Sequence, residues 1–136
     1  MATSEVIYLG ELSTEATHLK SSGKLQTDAP TDNNGLGRTF SPTDLLATSL
    51  ATCMLTIMGI RANESSWKIE GTKATVTKIM ESNPRRVGEI IVEIEIADKG
   101  LTKVQKNVLE KAALTCPVSL SLSESLKQTV SFSYRK

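Results

Sequence analysis

Between Val87 and Ala97 apolar and polar positions alternate: Ile90, Val92, Ile94 and Ile96 fall on one side, Glu89, Ile91, Glu93 and Glu95 on the other. A period of two, with β-branched residues on one face and carboxylates on the other, predicts a strand with one buried and one solvated face. Trp67 to Met80 carries a weaker alternation through Ile69 and Val76, and the linker Glu81-Ser82-Asn83-Pro84-Arg85-Arg86 closes the two runs into an antiparallel pair. Short strands are expected from Val6 to about Ala29, joined by a hairpin turn at Ser21-Ser22-Gly23, and a closing strand over Thr129 to Tyr134. From Asp28 to Arg38 turn formers crowd into a long surface loop.

Helical periodicity takes over after that loop. Ser41-Pro42-Thr43-Asp44 reads as a helix start, with Ser41 as cap, Pro42 in the first turn and Asp44 at the positive end. The helix is expected to run to about Ala62, its stripe Leu46, Leu50, Cys53, Ile57 and Ile60 alternating spacings of four and three. Thr102 with Gln105 forms a capping-box pattern for a second helix, striped by Leu101, Val104, Val108, Ala112 and Cys116. Pro117 stops it and opens a short third helix to about Ser125. Strands, helix, strands, two helices and a strand make an α+β order within one domain, residues 1–136.

Charge narrows the function. Sixteen Lys plus Arg against fifteen Asp plus Glu leave a net +1 with no basic run, which argues against nucleic acid as a partner. The longest uncharged run, Leu45 to Ile60, is broken by Thr48, Ser49, Thr52, Thr56 and Gly59 and is shorter than the ~20 residues of a bilayer span, so no membrane association is expected. The acidic Glu5 near the start and the lack of an apolar leader predict a cytoplasmic address. In that reducing compartment the two cysteines, Cys53 and Cys116, are not expected to form a permanent staple.

Both cysteines punctuate helical stripes, and two packed helices could bring the sulfurs together. Core packing and redox chemistry are both open for such a pair. A reactive thiol needs a helix start or a cation to favour its thiolate. Cys116 has the helix start. The only arginine before Cys53 is Arg38, in the long loop. His18, the sole histidine, would have to stand beside a cysteine to serve a Cys/His hydrolase. No cluster has metal-ligand spacing, and no glycine loop has the form of a phosphate cradle, so neither metal nor cofactor is expected.

Gly35-Leu36-Gly37-Arg38-Thr39-Phe40-Ser41-Pro42-Thr43-Asp44-Leu45-Leu46, continuing to Cys53, together with Ala112-Ala113-Leu114-Thr115-Cys116-Pro117-Val118, resembles the two cysteine motifs of the OsmC/Ohr family, of osmotically induced and organic hydroperoxide resistance proteins. Asn83-Pro84-Arg85-Arg86 is similar to the general OsmC-like branch. The resemblance implies an intertwined homodimer with long central helices wrapped by antiparallel sheets. It further implies that Cys53 attacks an organic hydroperoxide to become a sulfenic acid and that Cys116 condenses with it to a disulfide. A dithiol such as a lipoylated protein would reset the pair, and Arg38 would face the thiolate. Thr43, Asp44, Leu46 and Leu50 are assigned to the substrate side. Thr43 stands where the hydroperoxide resistance branch carries a glutamate, with a carboxylate one place later at Asp44. The alternative is a stress-associated dimer that keeps the fold and both thiols but binds a small apolar ligand or another sulfur species.

Overall fold

The alternating segment becomes the middle strand of a three-stranded sheet. In the computed structural model, which describes residues 1–136, the chain forms two compact units, Met1–Leu46 and Ala47–Lys136. Strands β1 (Ser4–Gly10), β2 (Ser13–His18) and β3 (Lys24–Asp28) make an antiparallel sheet in the first unit. The second holds most of helix α1 (Pro42–Glu64), then β4 (Lys73–Glu81), β5 (Arg86–Ala97), α2 (Lys103–Leu114), α3 (Pro117–Ser121) and β6 (Lys127–Arg135). The expected α+β class holds.

The period of two in β5 decided its burial as expected. Ile90, Val92, Ile94 and Ile96 are at most 1% exposed. They share one core with Leu50, Met54 and Met58 of α1, Leu109 and Ala113 of α2, and Cys116. Within the sheet β4 pairs antiparallel to β5, but β6 lies parallel to β5, so the sheet is mixed and not wholly antiparallel. A parallel neighbour requires a crossover, and α2 with α3 supplies it.

The helix faces depart from the expected stripes. In α1 the buried residues are Ala47, Leu50, Ala51, Met54, Met58 and Ala62, while Leu46 and Ile60 are exposed and Cys53 and Ile57 lie half-buried at the margin. This helix is apolar almost all round, so periodicity could not choose the face; alanines on one side let the sheet approach closely there. Its 23 residues exceed the uncharged run and are long and apolar enough to cross a bilayer, and a third of its apolar stretch is buried within the chain. In α2 the face is turned by one residue: Leu109 and Ala113 are sealed and Val104 is 71% exposed. Trp67 is not in a strand. Its N–H donates to the Ala62 carbonyl at 2.9 Å, folding the chain back at the end of α1.

Local chemistry fixes the ends. The Thr102 hydroxyl accepts from the Gln105 N–H at 3.2 Å, and the Gln105 side chain accepts from the Thr102 N–H at 2.9 Å, which is the expected capping box. Below it, Asp98 accepts from the N–H groups of Gly100 and Leu101 and meets Lys106 at 3.2 Å. Lys106 lies over the Tyr134 ring, 4.5 Å from its centre, and the Tyr134 hydroxyl donates to Glu110. These contacts tie α2 to β6. In the first unit, β2 and β3 meet through the Thr14 and Thr27 hydroxyls, and the 28–38 segment folds over Ala29. A Cβ on Gly35 would stand 1.8 Å from the Ala29 carbonyl oxygen, so only glycine fits there.

Because Ile94 is wholly buried, Ile94→Ala is expected to lower unfolding free energy by about 2–5 kcal/mol. Thr102→Ala is expected to cost about 1 kcal/mol through the lost cap. Urea unfolding followed by far-ultraviolet circular dichroism measures both.

Candidate active site

Cys116 owes its place to the residue after it. Proline disfavours helical backbone in the residue before it, and Cys116 accordingly takes φ −71° and ψ 150°. The chain therefore leaves α2 after Leu114 and starts α3 at Pro117, with Cys116 between them as the cap residue, fully buried. Its Sγ accepts from the Ser119 N–H at 3.5 Å. On α1, Cys53 lies half-buried at the edge of the same core.

The two cysteines, far apart in sequence, lie near enough that the Cys53 sulfur raises the Cys116 thiol, and neither is in a disulfide. Burial pushes the Cys116 thiol upward; the N–H groups of Ser119 and Val118 pull it down, and the neighbouring Cys53 sulfur pushes it up again. A helix start does not therefore make Cys116 the more acidic kind of thiol. Burial outweighs it, and Cys116 keeps its proton while sitting against Cys53. Such a pair can donate S–H to a neighbouring sulfur and can close to a disulfide when that sulfur is oxidised.

The remaining predicted residues have other local partners. Arg38 grips Asp28 with both edges of the carboxylate engaged: Nε donates to Oδ2 at 2.7 Å, Nη2 to Oδ1 at 3.0 Å, and the Arg38 backbone N–H to Oδ2 at 2.9 Å. Its charge neutralises a carboxylate that is only 3% exposed. Asp44 accepts from the Ser41 N–H through Oδ2 at 3.0 Å while its own N–H donates to Ser41 Oγ at 3.0 Å. Asp44 is thus a reciprocal cap of α1, with the Thr43 hydroxyl 3.2 Å from Ser41 Oγ. Leu46 is exposed, whereas Leu50 is fully buried in the core and offers no surface to a substrate. His18 is exposed at the β2–β3 turn, its Nδ1 2.6 Å from Ser21 Oγ.

One polar contact beside Cys116 had no signal in the sequence. Gln128 of β6 accepts from the Ser119 hydroxyl at 2.6 Å and donates to the Ser119 carbonyl at 3.0 Å. Ser119 alone reads as a small polar position on a short helix. Gln128 reads as a polar residue on a strand, and only the parallel crossover brings the two together.

The model of the OsmC-like protein family matches residues 34–131. The chain belongs to the OsmC-like protein family. Among solved structures, a protein from Psychrobacter arcticus 273-4 named for osmotic stress induction and a detoxification response is 48% identical. It covers 97% of this chain and 96% of its own, with a TM-score of 0.92. An organic hydroperoxide resistance protein OsmC from Legionella pneumophila is 20% identical with a TM-score of 0.75, covering 98% of both chains. An OsmC-like protein from Mycoplasma pneumoniae is also 20% identical, covers 98% of this chain and 96% of its own, and has a TM-score of 0.80. The last two are similar in fold. No curated protein matches the chain significantly.

The Asp28–Arg38 pair in this OsmC-like chain makes a pH prediction. Arg38 hydrogen bonds draw the Asp28 carboxyl down from 3.8 to about 2. A folded value below the unfolded one contributes stability that is complete above 3.8 and is lost as the pH falls to about 2. A carboxyl-carbon titration by NMR is expected to place the Asp28 midpoint near 2, and Arg38→Gln is expected to return it toward 3.8.

Proposed function

We propose that this OsmC-like protein is a thiol peroxidase for organic hydroperoxides, with Cys53 as the attacking and Cys116 as the resolving cysteine. The function rests on the neighbouring pair of free cysteines, one sulfur at the margin of the core and one sealed within it. Family membership supports it, since relatives bear the name of organic hydroperoxide resistance.

The cycle follows from the chemistry of the two sulfurs. The Cys53 thiolate attacks the terminal hydroperoxide oxygen; the O–O bond breaks, the alkoxide leaves and takes a proton, and Cys53 becomes a sulfenic acid. Cys116 then attacks the Cys53 sulfur. The S–O bond breaks as the S–S bond forms, and the Cys116 proton leaves with the hydroxyl as water. A dithiol such as a lipoylated protein reopens the bond through a mixed disulfide and departs oxidised, restoring both thiols. Burial suits Cys116 to waiting, because a protonated and sealed thiol is itself a poor target for peroxide. The apolar side chains around Cys53 favour a hydroperoxide with a hydrocarbon body over hydrogen peroxide. Arg38 is engaged by Asp28 within the single chain, and the two sulfurs carry the bond changes of this cycle.

The partner proposed for the whole chain is a second copy of itself. In the single chain Val6, Ile7, Tyr8 and Leu9 of β1 are 51–64% exposed, so the small sheet carries apolar side chains on both faces. A three-stranded sheet in that condition needs cover. The proposed setting is a cytoplasmic homodimer, with neither nucleic acid nor membrane as partner.

Cys53→Ser is expected to abolish tert-butyl hydroperoxide reduction coupled to dihydrolipoamide oxidation. Cys116→Ser is expected to stop turnover while leaving a sulfenic acid on Cys53 that dimedone traps. Unchanged turnover in Cys53→Ser would overturn the assignment.

A further inference from the structure

Of the two backbone N–H groups that act on the sealed cysteine, that of Ser119 has the larger effect and is itself held from outside its helix. Ser119 gives its N–H to Cys116 Sγ, while Gln128, on the neighbouring strand, takes the Ser119 hydroxyl proton and returns an amide N–H to the Ser119 carbonyl. Both ends of the Gln128 amide are therefore used on one residue, donor to acceptor and acceptor to donor. No other side chain of that length has both an oxygen and an N–H to offer at its tip. Gln128 itself is fixed by the sheet: it pairs with Ile90 in the parallel β5–β6 register, and Ile90 is wholly buried. A five-residue helix such as α3 has too few internal hydrogen bonds to hold its own first turn.

We propose that Gln128 is a positioning residue for Cys116, anchoring Ser119 to β6 so that the Ser119 N–H stays on the Cys116 sulfur while the disulfide forms and reopens. This rests on the peroxidase role of the Cys53–Cys116 pair and adds to it the means by which the resolving sulfur acts from a buried place. Negative charge develops on Cys116 twice in the cycle: as the S–H bond gives up its proton to the departing hydroxyl, and as the dithiol displaces Cys116 from the disulfide. In an apolar surround that charge needs a donor already in place. The Ser119 N–H is such a donor, and Gln128 keeps it from swinging away with a short helix. Nothing in this step requires a further reactant, since water carries off the proton and the oxygen.

Two measurements test it. In rapid mixing with cumene hydroperoxide, Gln128→Ala is expected to slow disulfide closure relative to the preceding Cys53 oxidation by about tenfold, the worth of one hydrogen bond. Gln128→Glu, nearly the same in shape, is expected to slow closure as well, because a carboxylate can accept from the Ser119 hydroxyl but has no N–H for the carbonyl. In a Cys53→Ser background the Cys116 thiolate is titrated by its ultraviolet absorbance. Both Gln128 variants are expected to raise its midpoint, by about one pH unit for one lost hydrogen bond to a charged sulfur. Ser119→Ala removes only the hydroxyl bond and leaves β6 untouched; it is expected to raise the midpoint less, and it decides the matter should Gln128→Ala fail to fold. An unchanged Cys116 midpoint in folded Gln128→Glu and Ser119→Ala proteins overturns the proposal. If the chain proves inert to hydroperoxides, the peroxidase role fails by itself, and the titration still decides whether Gln128 positions Cys116.

Discussion

Pro117 sets the constraint on which the cysteine pair depends. A proline there denies Cys116 a helical backbone, so α2 cannot run on, and the cysteine turns into the core as the cap of a new short helix. Had α2 continued through this point, Cys116 would have kept the direction of a helical side chain. The same break leaves the Ser119 N–H without a helical partner and turns it on the sulfur. One ring closure in the backbone thus fixes where the second thiol lies, how deeply it is buried and what donates to it.

The sheet makes the other half of the arrangement. Because β6 runs parallel to β5, the chain must cross over the core between them, and the crossover consists of α2, Cys116 and α3. The buried isoleucines and valine of β5 form the floor on which both the crossover and α1 rest. Cys53 and Cys116 meet where these two helical layers share that floor. Burial distinguishes them: a sealed thiol held in its protonated form lies beside a half-buried one.

Legibility in the sequence followed the strength of local rules. The alternation of β5 is unambiguous because its wrong face carries Glu89, Glu93 and Glu95, and the Thr102–Gln105 capping box is a contact between near neighbours. In α1 apolar residues surround the helix, so spacing could not tell Leu46 from Ala47, and the packed face turned out to hold the small residues. In α2 Val104 and Leu109 compete for adjacent stripes, and the larger side chain took the core. The cysteines stood out by rarity and by motif. Arg38 stood out by charge, but its partner Asp28 lies ten residues away and spacing alone did not pair them, whereas the Ser41–Asp44 cap was legible as a helix start. Gln128 was silent because its two hydrogen bonds exist only after a parallel strand has been placed beneath a helix nine residues away in sequence.

Intact mass spectrometry of the reduced protein after one equivalent of tert-butyl hydroperoxide shows whether the two sulfurs of one chain form a working redox pair. A loss of about 2 Da per chain, with both free thiols gone and no link between chains, is the predicted result. Chains that keep their mass and both thiols would contradict it, as would a lasting gain of about 16 Da, which would mean that Cys116 does not answer an oxidised Cys53.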